Sequence, residues 1–257
     1  MIIQSALVLV LCTVSALSAS DDVTTIIQRS VADNQENWKA APEYSYLEQD
    51  RDRKGTKTYR VFMLLGSPYN QLVAVNGHPL SLEDQERERQ KLEEVTKQRQ
   101  NESPQQREDR IRKYQKDRRR DHLMMEQLVD AFDFKLLGEQ ELDGFDVYVL
   151  SAKPHPGYQP PNIETKALTG MQGKLWIDKE TFQWVKVEAE VVHPVSIEGF
   201  LARVEPGTRF ELEQIPVAEG VWLPKHFAMK FRARVLFLFP RKGQEDETFS
   251  DYQRQEP

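Results

Sequence analysis

The chain has 257 residues, with 35 Lys and Arg against 41 Asp and Glu, a formal net charge of −6. That length suits one large domain, or one domain with an insertion, and can bury a sizeable core. The acidic balance argues against a general binder of nucleic acid or of anionic membranes.

Residues 1–20 carry no charged side chain; Ile2, Ile3 and 6–14 are apolar, and Ser15-Ala16-Leu17-Ser18-Ala19-Ser20 is rich in small residues. This reads as a secretory signal peptide cut near Ser18 or Ser20, although the α-amino group is the only positive charge ahead of the apolar run. The run is too short to span a membrane comfortably. The only cysteine, Cys12, lies inside it, and Leu11 stands where a lipoprotein signal wants a small residue. The mature chain, 21–257, is therefore expected to lack disulfides, thiolate metal ligands and a cysteine nucleophile. An exported domain of this kind relies on its core, a habit common in a bacterial periplasm, which is the expected location.

Residues 22–41 predict a helix, with Asp22 as N-cap and a stripe of Val23, Ile26, Ile27, Val31 and Trp38; Pro42 ends it. Strands are expected at 44–49, 56–65 and 71–75, with Tyr59, Val61 and Met63 sharing a face, and Asn76-Gly77 is a strong tight-turn pair. Ser81 then opens a helical insertion over 81–132. Ser81-Leu82-Glu83-Asp84 is a helix start, and Ser103-Pro104-Gln105-Gln106 a second. Between 81 and 120 the chain is dense in Glu, Gln, Arg and Lys, with Leu82, Leu92, Val95, Ile111 and Tyr114 as its few apolar residues. A helical hairpin of this composition buries little, so it is expected to project from the domain or to be partly disordered, and it is a candidate dock for a protein partner. From Leu123 onward, Met124, Met125, Leu128, Val129, Ala131 and Phe132 should pack on the sheet.

Strands resume at 134–137 and 145–151. Residues 153–173 form a Pro-rich connection, long enough to be a lid or binding loop. Residues 173–192 read as a β-hairpin. Leu175 and Ile177, then Val185, Val187, Ala189 and Val191, alternate with charged residues, so one face is dry and one wet. Asp178-Lys179-Glu180-Thr181 supplies the turn. Residues 193–200 read as irregular, and 203–204 and 208–215 as short strands with Phe210 and Leu212 on one face. The longest strand is expected at 227–239, with Phe227, Met229, Phe231, Ala233, Val235, Phe237 and Phe239 together; a short strand at 248–252 closes the chain. Ten or eleven strands in meander order make the fold mainly β (α+β): a curled, unclosed antiparallel barrel or half-barrel with an N-terminal helix and an inserted helical hairpin.

No HExxH, Gly-rich phosphate loop or Gly-x-Ser-x-Gly elbow occurs, so no enzyme, metal or cofactor is expected. His122 and Glu126, one helical turn apart, read as an ordinary surface pair rather than half a metal site. Asp178 and Glu180 read as solvated turn acids, and Arg118-Arg119-Arg120 as a solvated helix face. Asn101-Glu102-Ser103 fits a glycosylation sequon, without meaning in a bacterial host. What remains is the apolar face, a filled core or a ligand cavity, whose candidate lining is Met63, Leu175, Ile177, Val185, Val187, Phe210, Leu212, Phe227, Met229, Phe231 and Phe237.

Gly173-Lys174-Leu175-Trp176-Ile177-Asp178, followed by Thr181 and Val185-Lys186-Val187-Glu188, resembles the LolA-like superfamily, as does Gly220-Val221-Trp222-Leu223-Pro224. The resemblance covers residues 22–80 and 123–252. It implies an exported bacterial protein whose open β-barrel, capped by helices, holds lipid acyl chains without being an enzyme. Asn76-Gly77, Pro79-Leu80 and the closing Phe249-Ser250-Asp251-Tyr252 look more like a separate branch than the lipoprotein chaperone itself. Two readings stay open. One is a periplasmic binder of lipid or acylated protein, in peripheral contact with envelope membranes. The other is an envelope interaction or sensor module that uses the hairpin 81–120, with the apolar face an ordinary core.

Overall fold

The computed structural model describes residues 22–197, 202–235 and 239–255; the expected signal peptide, Cys12 and Phe237 lie outside them. Helix α1 (Val23–Ala40) leads into β1 (Tyr44–Asp52), β2 (Gly55–Leu64), β3 (Ser67–Val75) and the two-residue β4 (His78–Pro79). The insertion forms α2 (Leu82–Gln100), α3 (Pro104–Glu126) and the single turn α4 (Leu128–Ala131). Then come β5 (Phe132–Leu142), β6 (Phe145–Pro154), β7 (Met171–Asp178), β8 (Trp184–Val191), β9 (Val195–Ile197), β10 (Ala202–Val204), β11 (Arg209–Ala218), β12 (Val221–Val235) and β13 (Phe239–Arg254).

All these strands join one antiparallel sheet in the order β4-β3-β2-β1-β13-β12-β11-β8-β7-β6-β5, with β10 and β9 branching from β12. The terminal strands β4 and β5 do not pair, so the barrel stays open, as the meander pattern predicts. The last strand differs from expectation. Instead of five residues it has sixteen, and it pairs β12 on one side and β1 on the other, stitching the N-terminal strands to the rest. Its charged stretch Arg241–Glu247 hides it from hydrophobic periodicity, because backbone pairing with β12, rather than side-chain burial, holds it.

The main core lies inside the curl. Ile26 and Ile27 of α1 pack with Leu150, Leu175, Ile177 and Val187 of the sheet, joined by Phe132, Phe182 and Trp184. Part of the Pro-rich connection belongs to this core as well. A 3-10 turn at Thr165–Gly170 buries Leu168, so the second half of that segment is structure rather than a free lid. The sheet is not strictly one-sided. Val147, Val149, Val185 and Trp222 form a smaller cluster on the outer face, with Phe145 and Trp176 against it. The run Val147-Tyr148-Val149-Leu150 is apolar on both faces, the mark of a strand covered on both sides.

The central hairpin forms as expected, with one correction. Trp176 pairs Lys186 but Ile177 pairs Trp184, so Val185 is the extra residue of a β-bulge. The bulge turns Val185 to the outer cluster and puts Trp184 inward beside Ile177. At the turn Asp178 is buried rather than solvated, and its carboxylate accepts from the Thr181 N–H at 2.8 Å and hydroxyl at 2.6 Å. Glu180 is exposed.

Helices α2 and α3 do not project; they dock. The β2–β3 turn holds Leu65 and Gly66 at φ 50° and 94°, and two arginines read its carbonyls. Arg99 Nη1 donates to Leu64 O at 2.7 Å and Ser67 O at 2.9 Å. Arg110 Nη1 donates to Ser67 Oγ at 2.8 Å while its other nitrogens grip Glu102 at 2.6 and 2.7 Å. Farther along α3, Arg118 lies 4.0 Å above the Trp38 ring and His122 stacks on the same ring at 4.4 Å, its Nε2 against Gln35 Oε1. Ile111, Tyr114, Arg118, His122 and Met125 thus recur every three or four positions and make an inward stripe. His122 is 3% exposed, so it is no surface residue, and burial pushes its pKa below the usual histidine value. Arg118 is half-buried, unlike Arg119 and Arg120.

Candidate functional site

Cross-strand rows lead from the closed core to an open part of the same inner face. One row runs Leu175, Val187, Leu212, Phe227, Glu247, Asp50 and Lys57 across β7, β8, β11, β12, β13, β1 and β2. Its first two residues are buried, the next four half-buried and Lys57 exposed. The adjacent row runs Ala152, Gly173, Ala189, Phe210, Met229 and Glu245. Helix α1 closes the first end of these rows.

Strand β12 places Phe227, Met229 and Phe231 on this open part. Alternation aims them inward while Lys230, Arg232 and Arg234 point away. Phe227 lies 6.4 Å from the Phe210 ring. The Phe231 ring occupies the space that a Cβ at Gly243 would need, so glycine there lets the ring lie flat on β13. All three side chains stay half-buried.

The predicted lining therefore divides. Leu175, Ile177 and Val187 are 0–6% exposed beneath α1. Phe210 and Leu212 sit at the core margin. Phe227, Met229 and Phe231 are together on the open strip, and Met63 is half-buried on β2, two residues beyond the buried Val61. Val185 is on the other face, and Phe237 is outside the described residues.

Periodicity missed the carboxylates beside the strip. Glu48 and Asp50 of β1 and Glu245 and Glu247 of β13 share the inner face, although alternation of charge there reads as a wet face. The Tyr46 ring meets Phe249 at 5.8 Å and Tyr252 at 5.4 Å, capping the acidic group on one side. Among the described residues no cation lies within ion-pair distance of these four acids. Burial, with Glu48, Glu245 and Asp50 nearby, pushes Glu247 up to about 7; burial and Asp50 raise Glu48.

This fixes a pH dependence. A carboxyl whose folded pKa is raised contributes stability that is fully present below its ordinary value near 4.5 and is lost as pH rises toward 7. Unfolding free energy is expected to fall over that window through Glu247. Taken whole the shift is worth roughly 3 kcal/mol, but the side chain is half exposed and screening reduces it to about 1 kcal/mol. Glu247→Gln should remove that slope and raise stability at pH 8; urea titrations at pH 5 and pH 8 check it, and an unchanged slope would refute it.

A depression of about 680 Å³ has Ala189, Phe210, Met229 and Glu245 of the second row in its lining, together with Lys174, Glu188, Glu211 and Lys230. Among the described residues, no three His, Cys, Asp or Glu side chains group to hold a metal, and no helix is long and apolar enough to cross a membrane.

No protein-family model and no curated protein sequence matches the chain. Solved structures are distantly similar. A LolA superfamily protein from Nitrosomonas europaea is 12% identical, with 93% of this chain and 96% of that one covered at a TM-score of 0.33. A DUF1329 family protein from Desulfovibrio piger is 14% identical, with 91% and 94% covered at the same TM-score. What the site can bind is read from this chain's own residues.

Proposed function

We propose that the protein is a non-enzymatic, exported periplasmic binder that holds the acyl chain of a lipid or acylated protein on the open strip of its inner face. One observation supports this above others: Phe227, Met229 and Phe231 stand side by side, only partly covered, on the inward face of a sheet whose neighbouring inward residues are sealed by α1. Burying such side chains under a ligand gains about 25 cal/mol per Å² of apolar area removed from water. The inner face is concave and carries no constellation for bond making or breaking. Binding needs only apolar contact, which Phe and Met supply with adaptable shape.

The test is lipid extraction and mass spectrometry on protein expressed in its native compartment and purified without detergent. Near-stoichiometric acyl lipid is expected. Protein that is folded and free of lipid would refute the reading.

A further inference from the structure

The apolar strip and the carboxylates beside it form one surface. We propose that this surface takes a single-chain amphiphile with an ammonium head, its alkyl chain along β12 and its head over Glu48 and Glu247. The inference rests on the acyl-chain reading above and adds the chemistry of the head group.

The strip has the shape for a chain. From Phe227 to Phe231 is four residues, about 14 Å at the rise of an antiparallel strand, enough for a medium-length alkyl chain laid along β12. It does not suit an extended peptide. From Phe227 to Lys230 β12 is paired on both sides, by β11 and by β13, so its backbone there has no free edge to which a strand could be added. A row of methylenes asks for no hydrogen bonds.

The charge decides the head. Glu247 lies directly opposite Phe227 and Glu245 opposite Met229, and Asp50 and Glu48 follow on the next strand. The cations that share this face are Lys57, opposite Asp50, and Arg241, opposite Ala233. Both are exposed and stand at the rim. The phenol of Tyr46 neighbours Glu48 and Glu247, with Tyr252 beside Glu48 and Tyr114 beside Tyr46. A patch of one sign, half withdrawn from water, repels an anionic head and favours a cation. An ammonium brings three N–H donors to carboxylates that only accept.

The experiment compares three amphiphiles with one dodecyl chain, each below its micelle concentration, by calorimetric titration of the full chain at pH 8. These are dodecylammonium, uncharged dodecyl maltoside and dodecyl sulfate. Dodecylammonium is expected to bind at least about tenfold tighter than the maltoside, the worth of one well-placed charge contact near 1.4 kcal/mol, and the sulfate weakest. That ratio should collapse in Glu48→Gln/Glu247→Gln and persist in Glu86→Gln/Glu93→Gln on the exposed α2. Equal binding of ammonium and maltoside to the unaltered protein overturns the head-group proposal and leaves the acyl-chain reading standing. Binding of none of the three overturns both. A preference that survives Glu48→Gln/Glu247→Gln, or is lost in the α2 variant, assigns it to overall charge and overturns the proposal. A basic amphipathic peptide that displaces dodecylammonium at lower concentration overturns it in favour of a peptide.

Discussion

Asn37→Ala is expected to lower the unfolding free energy by about 3 kcal/mol, the sum of two buried polar groups left unpaired at 1–3 kcal/mol each. Asn37 is buried on α1 and joins three elements. Its Nδ2 donates to Gln183 Oε1 at 2.6 Å, and its Oδ1 accepts from the Trp222 N–H at 2.9 Å. Removing the amide leaves a glutamine oxygen and a backbone N–H without partners under α1. Asn34, one turn earlier and equally buried, makes a single bond, to Ser30 O within its own helix. Asn34→Ala should therefore cost about 1 kcal/mol. Urea denaturation with unchanged m-values decides between them. Equal losses for the two variants would contradict the view that Asn37 is what fixes α1 on the sheet.

Met229→Lys is expected to abolish acyl-chain binding with little effect on stability. Met229 is half-buried at the middle of the strip, so a lysine there can lift its ammonium to solvent while the protein is empty. A bound chain would bury that charge or be held off the strip, a penalty of several kcal/mol and a loss of roughly a hundredfold or more in affinity. The nearby Glu245 and Glu247 soften the cost in the empty protein but cannot give the chain its lost contact. The readouts are lipid content after detergent-free purification and the urea midpoint. A variant that keeps its lipid would place the chain elsewhere. A variant that loses several kcal/mol of stability would make Met229 part of a closed core.

The meander, the open antiparallel sheet and the position of the helical insertion were legible in the sequence because alternation and caps mark them. Ser103 is a worked case. Its hydroxyl accepts from the Gln106 N–H and Gln106 returns the bond to the Ser103 N–H, with Pro104 between them. Three features were hidden for physical reasons. The inward stripe of α3 is made of Tyr114, Arg118 and His122, which bury stems and rings rather than aliphatic groups, so a hydrophobic pattern does not register it. Val185 leaves its expected face because a one-residue bulge inverts everything beyond it, and no residue type at 184–186 announces the bulge. The acidic part of the candidate site carried no signal of its own, since Tyr46-Leu47-Glu48-Gln49-Asp50 offers no dry side until β13 is known to lie next to β1. That pairing joins residues some two hundred positions apart, beyond the reach of local periodicity.

The six methionines allow a direct test of where an apolar ligand sits. Met229 lies on the open strip, Met171 is buried in the core, and Met124 and Met125 are packed against it. With ¹³C-methyl methionine and an uncharged dodecyl amphiphile below its micelle concentration, NMR titration should shift the Met229 methyl strongly and saturably and leave Met171 unmoved. A response confined to Met124, Met125 and Met171, or none at Met229 at saturation, would contradict the account.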